Sequence, residues 1–244
     1  MTQMVTDFHS HILPGIDDGS RSVEESIAML HASAQQGITH MVATPHFYAR
    51  YESPEAFLEK RDRAEETLRR AMARYSDLPE VSIGAEVYFF RGMSESEFLP
   101  RLTIRGKNSI LVEMPPSPWR DEYYRELEDI WGKWGITPIV AHVDRYIWPL
   151  RTYGIPGRLE QLPVLVQANS SFFLERATAG MAMRMLKKDQ IQLLGSDCHN
   201  MSSRKPDLGE AVDQIRRKLG TDILENIRAY ENQIFGVGEK AMPV

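Results

Sequence analysis

A single cysteine, Cys198, stands in 244 residues. One thiol excludes an intramolecular disulfide and any Cys-rich zinc module. No window approaches the ~18 consecutive apolar residues of a membrane span. The N-terminus lacks the basic-then-apolar order of a signal peptide. Positive charge is not in excess either: 29 Lys and Arg oppose 34 Asp and Glu, a formal net charge of -5. Without a basic block, nucleic acid gains no general attraction. Internal repeats, low-complexity tracts and Gly/Ser linkers are also lacking. What remains is ordinary globular composition, 42% hydrophobic and 26% charged. The reading is one soluble cytoplasmic domain over residues 1–244, with enough chain for one sizeable core.

Short β-like runs recur along that chain: Met4–His9, Thr39–Ala43, Val81–Glu86, Ser109–Glu113, Thr137–Ala141, Val164–Ala168 and Ile191–Gly195. Helical or polar sequence separates them, which implies parallel strands joined by crossover helices and hence α/β architecture. Seven such runs favour a closed or nearly closed barrel; an open doubly wound sheet is the alternative, because strand order is not written in a sequence. Helix signals are clear. Ser22 to Glu25 reads as a capping box, followed by the stripe Val23, Ile27, Leu30 and Ala34 and a stop at Gly37. Ser53-Pro54 opens a charged helix running to about Tyr75. Leu127, Ile130, Trp131 and Trp134 form a third stripe; Leu208, Val212, Ile215 and Leu219, then Ile223, Ile227 and Tyr230, form the last. These stripes and Met181, Met183 and Met185 read as packing surface.

The loops carry the chemistry. His9 and His11 stand two apart at the end of the first run, so in a strand both imidazoles face one side. Asp18 follows them. Later runs end at His46, Glu86, Glu113 and His142, and the last leads into Asp197-Cys198-His199. Ligand-type residues therefore cluster past the C-terminal ends of strands, where parallel α/β folds place their sites. Imidazoles and carboxylates without thiolates suit zinc, manganese or iron. His31, inside a helix, and His40, at the start of a strand, read as structural.

His9-Ser10-His11, Asp17-Asp18-Gly19, Thr44-Pro45-His46, Glu86, Leu111–Pro115, His142 and Asp197-Cys198-His199-Asn200, in that order, resemble the PHP (polymerase and histidinol phosphatase) family. Within it they resemble the metal-dependent bacterial tyrosine phosphatases of capsule and exopolysaccharide operons. The resemblance implies a single-domain distorted (β/α)7 barrel, PHP/TIM-like, with its metal site at the C-terminal ends of the strands. It also implies three divalent ions, usually manganese. His9, His11, Glu86 and Asp197 would hold the first. Glu86 would bridge to a second completed by Glu113 and His142, and Asp18, His46 and His199 would hold the third. Arg145 and Arg204 match positions that grip substrate phosphate, a task suited to bidentate guanidinium groups. Three dications outweigh four carboxylates, which leaves a positive pocket fit for a phosphate dianion. The substrate implied is a phosphotyrosine protein, an autophosphorylating bacterial tyrosine kinase; a homo-oligomer is allowed.

Other readings are open at this point. Cys198 through Arg204 has the Cys-five-Arg spacing of thiol-dependent phosphatases. Yet the segment between holds no glycine, and a cysteine between two metal-facing neighbours would point away from them. The same fold could serve histidinol phosphate or another small phosphomonoester, or act as a non-catalytic metal-bound regulatory module. Phe47-Tyr48-Ala49-Arg50-Tyr51 reads as a lip over an aromatic substrate or as packing. Arg21, Arg50 and Arg91 lie near the same loops without being distinguished.

Overall fold

The computed structural model describes residues 5–148 and 151–236; Met4, which opens the first expected strand, lies outside them. Strand β1 (Val5–Ser10) leads through a loop to helix α1 (Val23–Gln35), and β2 (Ile38–Ala43) returns beside it. After Thr44-Pro45 the same strand line resumes as β3 (His46–Phe47), followed by α2 (Pro54–Met72). The third line is likewise broken, into β4 (Glu80–Ile83) and β5 (Glu86–Tyr88) on either side of Gly84-Ala85. Two 3-10 turns, Met93–Glu95 and Leu99–Leu102, connect to β6 (Ser109–Glu113); α3 (Asp121–Trp134) then leads to β7 (Thr137–Val140). Short helices α4 (Asp144–Ile147) and α5 (Ile155–Leu159) precede β8 (Leu165–Asn169), and α6 (Ser170–Leu174) and α7 (Ala179–Lys187) precede β9 (Leu193–Gly195). Helices α8 (Leu208–Leu219) and α9 (Asp222–Phe235) end the described chain.

Every strand pairing is parallel, in the orders β1-β2-β4 and β3-β5-β6-β7-β8-β9. With β2–β3 and β4–β5 as continuations, that is seven lines in chain order. The chain past β9 returns to the first strand: Asp197 N–H donates to the His9 carbonyl (2.7 Å) and His11 N–H to the Cys198 carbonyl (2.9 Å). Parallel order, helical crossovers and this closure give the expected seven-line barrel.

The barrel interior is layered by the two-residue period of its strands. Phe8, Val42, Leu111, Ile139, Leu165 and Leu193 make a separate apolar plug, closed by Ile104 and Ile234. Two residues further on, the same inward files become polar: Leu111 is followed by Glu113, Leu165 by Gln167 and Asn169, and Val42 by Thr44 and His46. On β1 a register irregularity against β2 falls between Asp7 and Ser10, so Phe8 can join the plug while His9, next in sequence, joins the polar layer. The larger core lies between the strands and their helices.

Several local expectations need correction. The Ser22 hydroxyl does accept from Glu25 N–H (3.3 Å), but the Glu25 carboxylate reaches Arg21, not the cap residue. Trp131 does not complete its stripe; it is 47% exposed, while Tyr124, Leu127 and Ile130 are buried. Trp134 packs partly, its indole N–H donating to the Ser94 carbonyl (2.8 Å). Phe47 is fully buried, so the expected lip begins one residue later.

Candidate metal centre

All nine side chains expected as ligands come together at the C-terminal mouth. His9 Nε2 and His11 Nε2 lie 3.1 Å apart. Both face Glu86 Oε2 (3.1 and 3.3 Å) and Asp197 Oδ1 (3.5 Å each). His142 Nε2 is 2.8 Å from Glu86 Oε1 and 3.7 Å from Glu113 Oε1. His46 Nε2 and His199 Nε2 are each 3.4 Å from Asp18 Oδ1. His46 Nδ1 also stands 3.0 Å from Glu86 Oε2, placing Glu86 at the centre. Most of the cluster is sealed from solvent; Asp18, 66% exposed, forms its outer edge.

Three sets of donor atoms lie mutually within 4.8 Å: His11, Asp18, His46 and His199; His9, His11 and Glu86; and His46, Glu86 and Glu113. They overlap more than the three expected groups, because His11 and His46 each reach two of them.

The backs of the imidazoles are held, which fixes which nitrogen looks inward. His11 Nδ1 meets Asp17 Oδ2 at 2.8 Å, His9 Nδ1 meets Gln167 Oε1 at 3.3 Å, and His199 Nδ1 meets the Asp197 carbonyl at 2.9 Å. With each Nδ1–H donating outward, each Nε2 offers a lone pair inward. Buried atoms without a hydrogen-bond partner among the described residues include Glu86 Oε2, Glu113 Oε2, His46 Nδ1 and His199 Nε2. Buried lone pairs facing only other lone pairs are costly unless a cation stands between them. The donor set therefore fits divalent metal.

The charges agree. Burial opposes charging His9, yet Glu86 and Asp197 raise its pKa above the ordinary imidazole value. Burial likewise opposes charging His11, which Asp17, Asp197 and Glu86 hold well above it. Burial alone would raise Asp197, but His9, His11 and Arg145 keep it well below the usual carboxylate range. This pocket of buried acids attracts positive charge, and a divalent ion supplies it at two imidazoles without their protons.

Gly195 and Gly19 let the histidines sit so close. A Cβ on Gly195 would lie 2.6 Å from His9 Cβ, and one on Gly19 2.4 Å from His11 Cβ. His142 (φ 31°) and Asp197 (φ 53°) adopt the left-handed region without being glycine. Such backbone strain concentrates at functional sites.

Both expected arginines arrive. Arg145, from α4, pairs with Asp197 Oδ2; Arg204 Nη2, from the loop after β9, is 2.7 Å from Asp197 Oδ1. Two partly exposed guanidinium groups thus stand at the mouth, one from the segment after β7 and one from that after β9. Arg21 instead pairs with Glu25 and Arg91 with Glu122. His31 lies beside Tyr75, and His40 bonds Ser82 Oγ (2.8 Å), both remote from the mouth. The Cys198 thiol belongs to the apolar core and is fully buried. Burial, then Asp7, pushes its pKa well above the ordinary thiol value, so the thiolate chemistry suggested by its spacing has no basis here.

Sequence reasoning passed over the residues behind the ligands. Asp17 accepts from His11, Gly19 N–H (2.9 Å) and His46 N–H (3.1 Å). Gln167 Oε1 serves both His9 and His142 N–H (2.7 Å), and Asn169 Nδ2 donates to Asp197 (3.0 Å). Asp7 accepts from Ser196 N–H (2.9 Å) and Oγ. A signal existed for two of them: Gln167 and Asn169 are polar, two apart, inside an otherwise apolar strand.

The class so defined is a parallel (β/α) barrel that gathers histidines and carboxylates at one end into a candidate polynuclear cation site. An L-hydantoinase from Arthrobacter aurescens shares the fold, at TM-score 0.55 and 13% identity over 97% of this chain and 74% of that one. The chain belongs to the CpsB/CapC family of capsular polysaccharide synthesis, whose model matches residues 5–234. It is 30% identical over 229 residues, 88% of its length and 90% of the relative's, to a tyrosine-protein phosphatase CpsB of Streptococcus pneumoniae. It is 26% identical over 229 residues, 89% and 86% of the two lengths, to a tyrosine-protein phosphatase YwqE of Bacillus subtilis. A crystal structure from work on these two, described as unique metal-dependent tyrosine phosphatases, matches with TM-score 0.83 and 22% identity over 97% of this chain and 96% of that one. Among the described residues no helix is long and apolar enough to cross a membrane.

Proposed function

We propose that this chain is a metal-dependent protein-tyrosine phosphatase that hydrolyses phosphotyrosine without a covalent enzyme intermediate. The convergence of nine ligand side chains at one mouth, with four histidines around Glu86 and two arginines beside them, carries the reading. His9, His11, Glu86 and Asp197 would hold one divalent ion; Glu86, Glu113 and His142 a second; Asp18, His46 and His199 a third. Manganese is the activator implied by family resemblance. Divalent ions bound there lower the pKa of water toward ~7 and neutralise developing phosphoryl charge. Gln167 and Asp17 keep the imidazoles of His9 and His11 turned inward. Arg145 and Arg204 offer paired N–H donors to the non-bridging phosphoryl oxygens, where charge spreads as the ester bond breaks. Tyr48, 5.2 Å from the His46 ring and 5.5 Å from Tyr88, gives the mouth an aromatic wall for a phenyl ester. The natural substrate is a phosphotyrosine protein, an autophosphorylating bacterial tyrosine kinase in capsule or exopolysaccharide control.

Metal analysis of the purified protein, with phosphotyrosyl-peptide and histidinol-phosphate turnover before and after chelation, tests this. The expected result is bound transition metal, preference for the peptide, and loss of turnover on chelation. Undiminished turnover after complete metal removal would contradict the proposal.

A further inference from the structure

The connection from β5 to β6 is the one crossover among the described residues that lacks an α-helix. Beside it, α2 and the 101–105 segment enclose an open groove of about 870 Å³ on the outside of the barrel. Five arginines line it: Arg61, Arg69, Arg70, Arg101 and Arg105. Four of them are paired. Arg105 meets Asp62 (2.8 Å) and Glu65 (2.5 Å), Arg69 meets Glu65 (2.7 Å), Arg101 meets Glu55 (2.9 Å), and Arg70 meets Glu66. Five guanidinium groups thus face four carboxylates, leaving one positive charge in surplus.

Arg61 is the exception. It is 5% exposed, and its Nη1 donates to the Gly84 carbonyl at 3.2 Å. Its Nε–H has no hydrogen-bond partner among the described residues. Asp62 Oδ1 stands 3.8 Å from that nitrogen and is already engaged by Arg105. Burial and the neighbouring Arg105 both push its pKa down, so the cation sits in an unfavourable field. A buried guanidinium with an unmet donor costs free energy that a bound anion would recover.

We propose that this groove is a second oxyanion site, which binds a phosphate dianion with the Arg61 guanidinium at its base and Arg101 and Arg105 at its rim. A dianion carries twice the charge of each resident carboxylate and accepts through three oxygens. The Arg101–Glu55 and Arg105–Asp62 pairs it would displace are exposed and weak, and the buried Glu65 keeps Arg69 as its partner. The site is separate from the metal centre, though the Gly84 carbonyl that Arg61 holds lies two residues before Glu86. Its phosphate is either the free ion or a monoester.

Calorimetric titration of the metal-loaded protein with inorganic phosphate, and separately with phenylphosphonate as a stable monoester analogue, tests the site. Observation of arginine Nε–H resonances by nitrogen NMR locates it. Arg145→Gln/Arg204→Gln should retain phosphate binding in the groove, with the Arg61 resonance shifting on titration. Arg101→Gln/Arg105→Gln, changed only at half-exposed positions, should lose that binding at least tenfold while phosphotyrosyl turnover stays within about twofold. Phenylphosphonate binding in the groove would assign the monoester; phosphate binding alone would assign the free ion. An unmoved Arg61 resonance at tens of millimolar phosphate would overturn the proposal. So would equal phosphate binding by the Arg101→Gln/Arg105→Gln variant and the parent.

Discussion

Replacing Gly195 by alanine adds one methyl group at the tightest point behind the metal centre. The new Cβ would lie 2.6 Å from His9 Cβ, 2.7 Å from Gln167 Nε2 and 3.1 Å from His9 N. Carbon contacts relax at ~3.5–4.0 Å, so about 1 Å of separation must be found. The His9 backbone cannot supply it cheaply, because its carbonyl accepts from Asp197 N–H at 2.7 Å and closes the barrel. Gln167 cannot either, since it bonds His9, His142 N–H and Asn169. The displacement therefore passes to the His9 imidazole or to its orienting amide. A ~1 Å misplacement in a catalytic constellation can cost ~10²-fold in rate, and overpacking of this kind costs roughly 1–3 kcal/mol of stability. The expected outcome is a folded protein with phosphotyrosyl-peptide kcat/KM reduced ~10²-fold and less bound metal per chain. Gly157→Ala, where a Cβ meets nothing within 4 Å, is the control. A folded Gly195→Ala protein with parental metal content and kcat/KM would refute the claim that this contact sets the position of His9.

A second prediction concerns Glu231, buried beneath the barrel, where it accepts from Thr6 N–H (3.1 Å) and Oγ1 (3.3 Å). Burial raises its pKa from 4.5 to about 7. The folded state thus holds the proton more tightly, and stability from this group is full below pH ~4.5 and lost as pH rises through ~7. The shift corresponds to roughly 3 kcal/mol. Glu231→Gln should accordingly gain about that much over the parent in urea unfolding at pH 8 compared with pH 5; a pH-independent difference would rule the linkage out. Asp17→Asn should weaken metal binding ~10–100-fold, read by competition with a chelator, because the acid that orients His11 is lost; unchanged affinity would show that His11 is held by other means. Cys198→Ala should leave turnover within about twofold and lower stability by about 1 kcal/mol through the small cavity it leaves. Loss of turnover in a folded, metal-loaded Cys198→Ala protein would reopen thiol chemistry.

The barrel was legible because its seven apolar runs carry a physical signature that needs no partner. Each run is short and apolar, and all but the third and fourth are separated by helical sequence, an alternation that parallel crossovers satisfy. Two strand lines broke where sequence could not show it, at Thr44-Pro45 and Gly84-Ala85, since proline lacks a ladder donor and Gly84 gives up side-chain packing. Trp131 was misplaced because a stripe states which residues share a face, whereas its width of burial depends on the neighbour. Among the site residues, the ligand types were conspicuous at strand ends. The resemblance had already assigned Asp18 to the mouth, whereas the part Asp17 plays in supporting His11 showed only in three dimensions.

Residue order alone determined the chemistry available: imidazole and carboxylate donors delivered at the ends of strands, in a chain with a single cysteine. It could do so because donor type and strand period are local properties. Tertiary structure alone decided that Glu86 stands at the hub, that His11 and His46 each serve two groups of donors, and that Arg145 and Arg204 meet at Asp197. Those facts depend on distances between segments far apart along the chain, which are fixed only when the barrel closes and its layers pack.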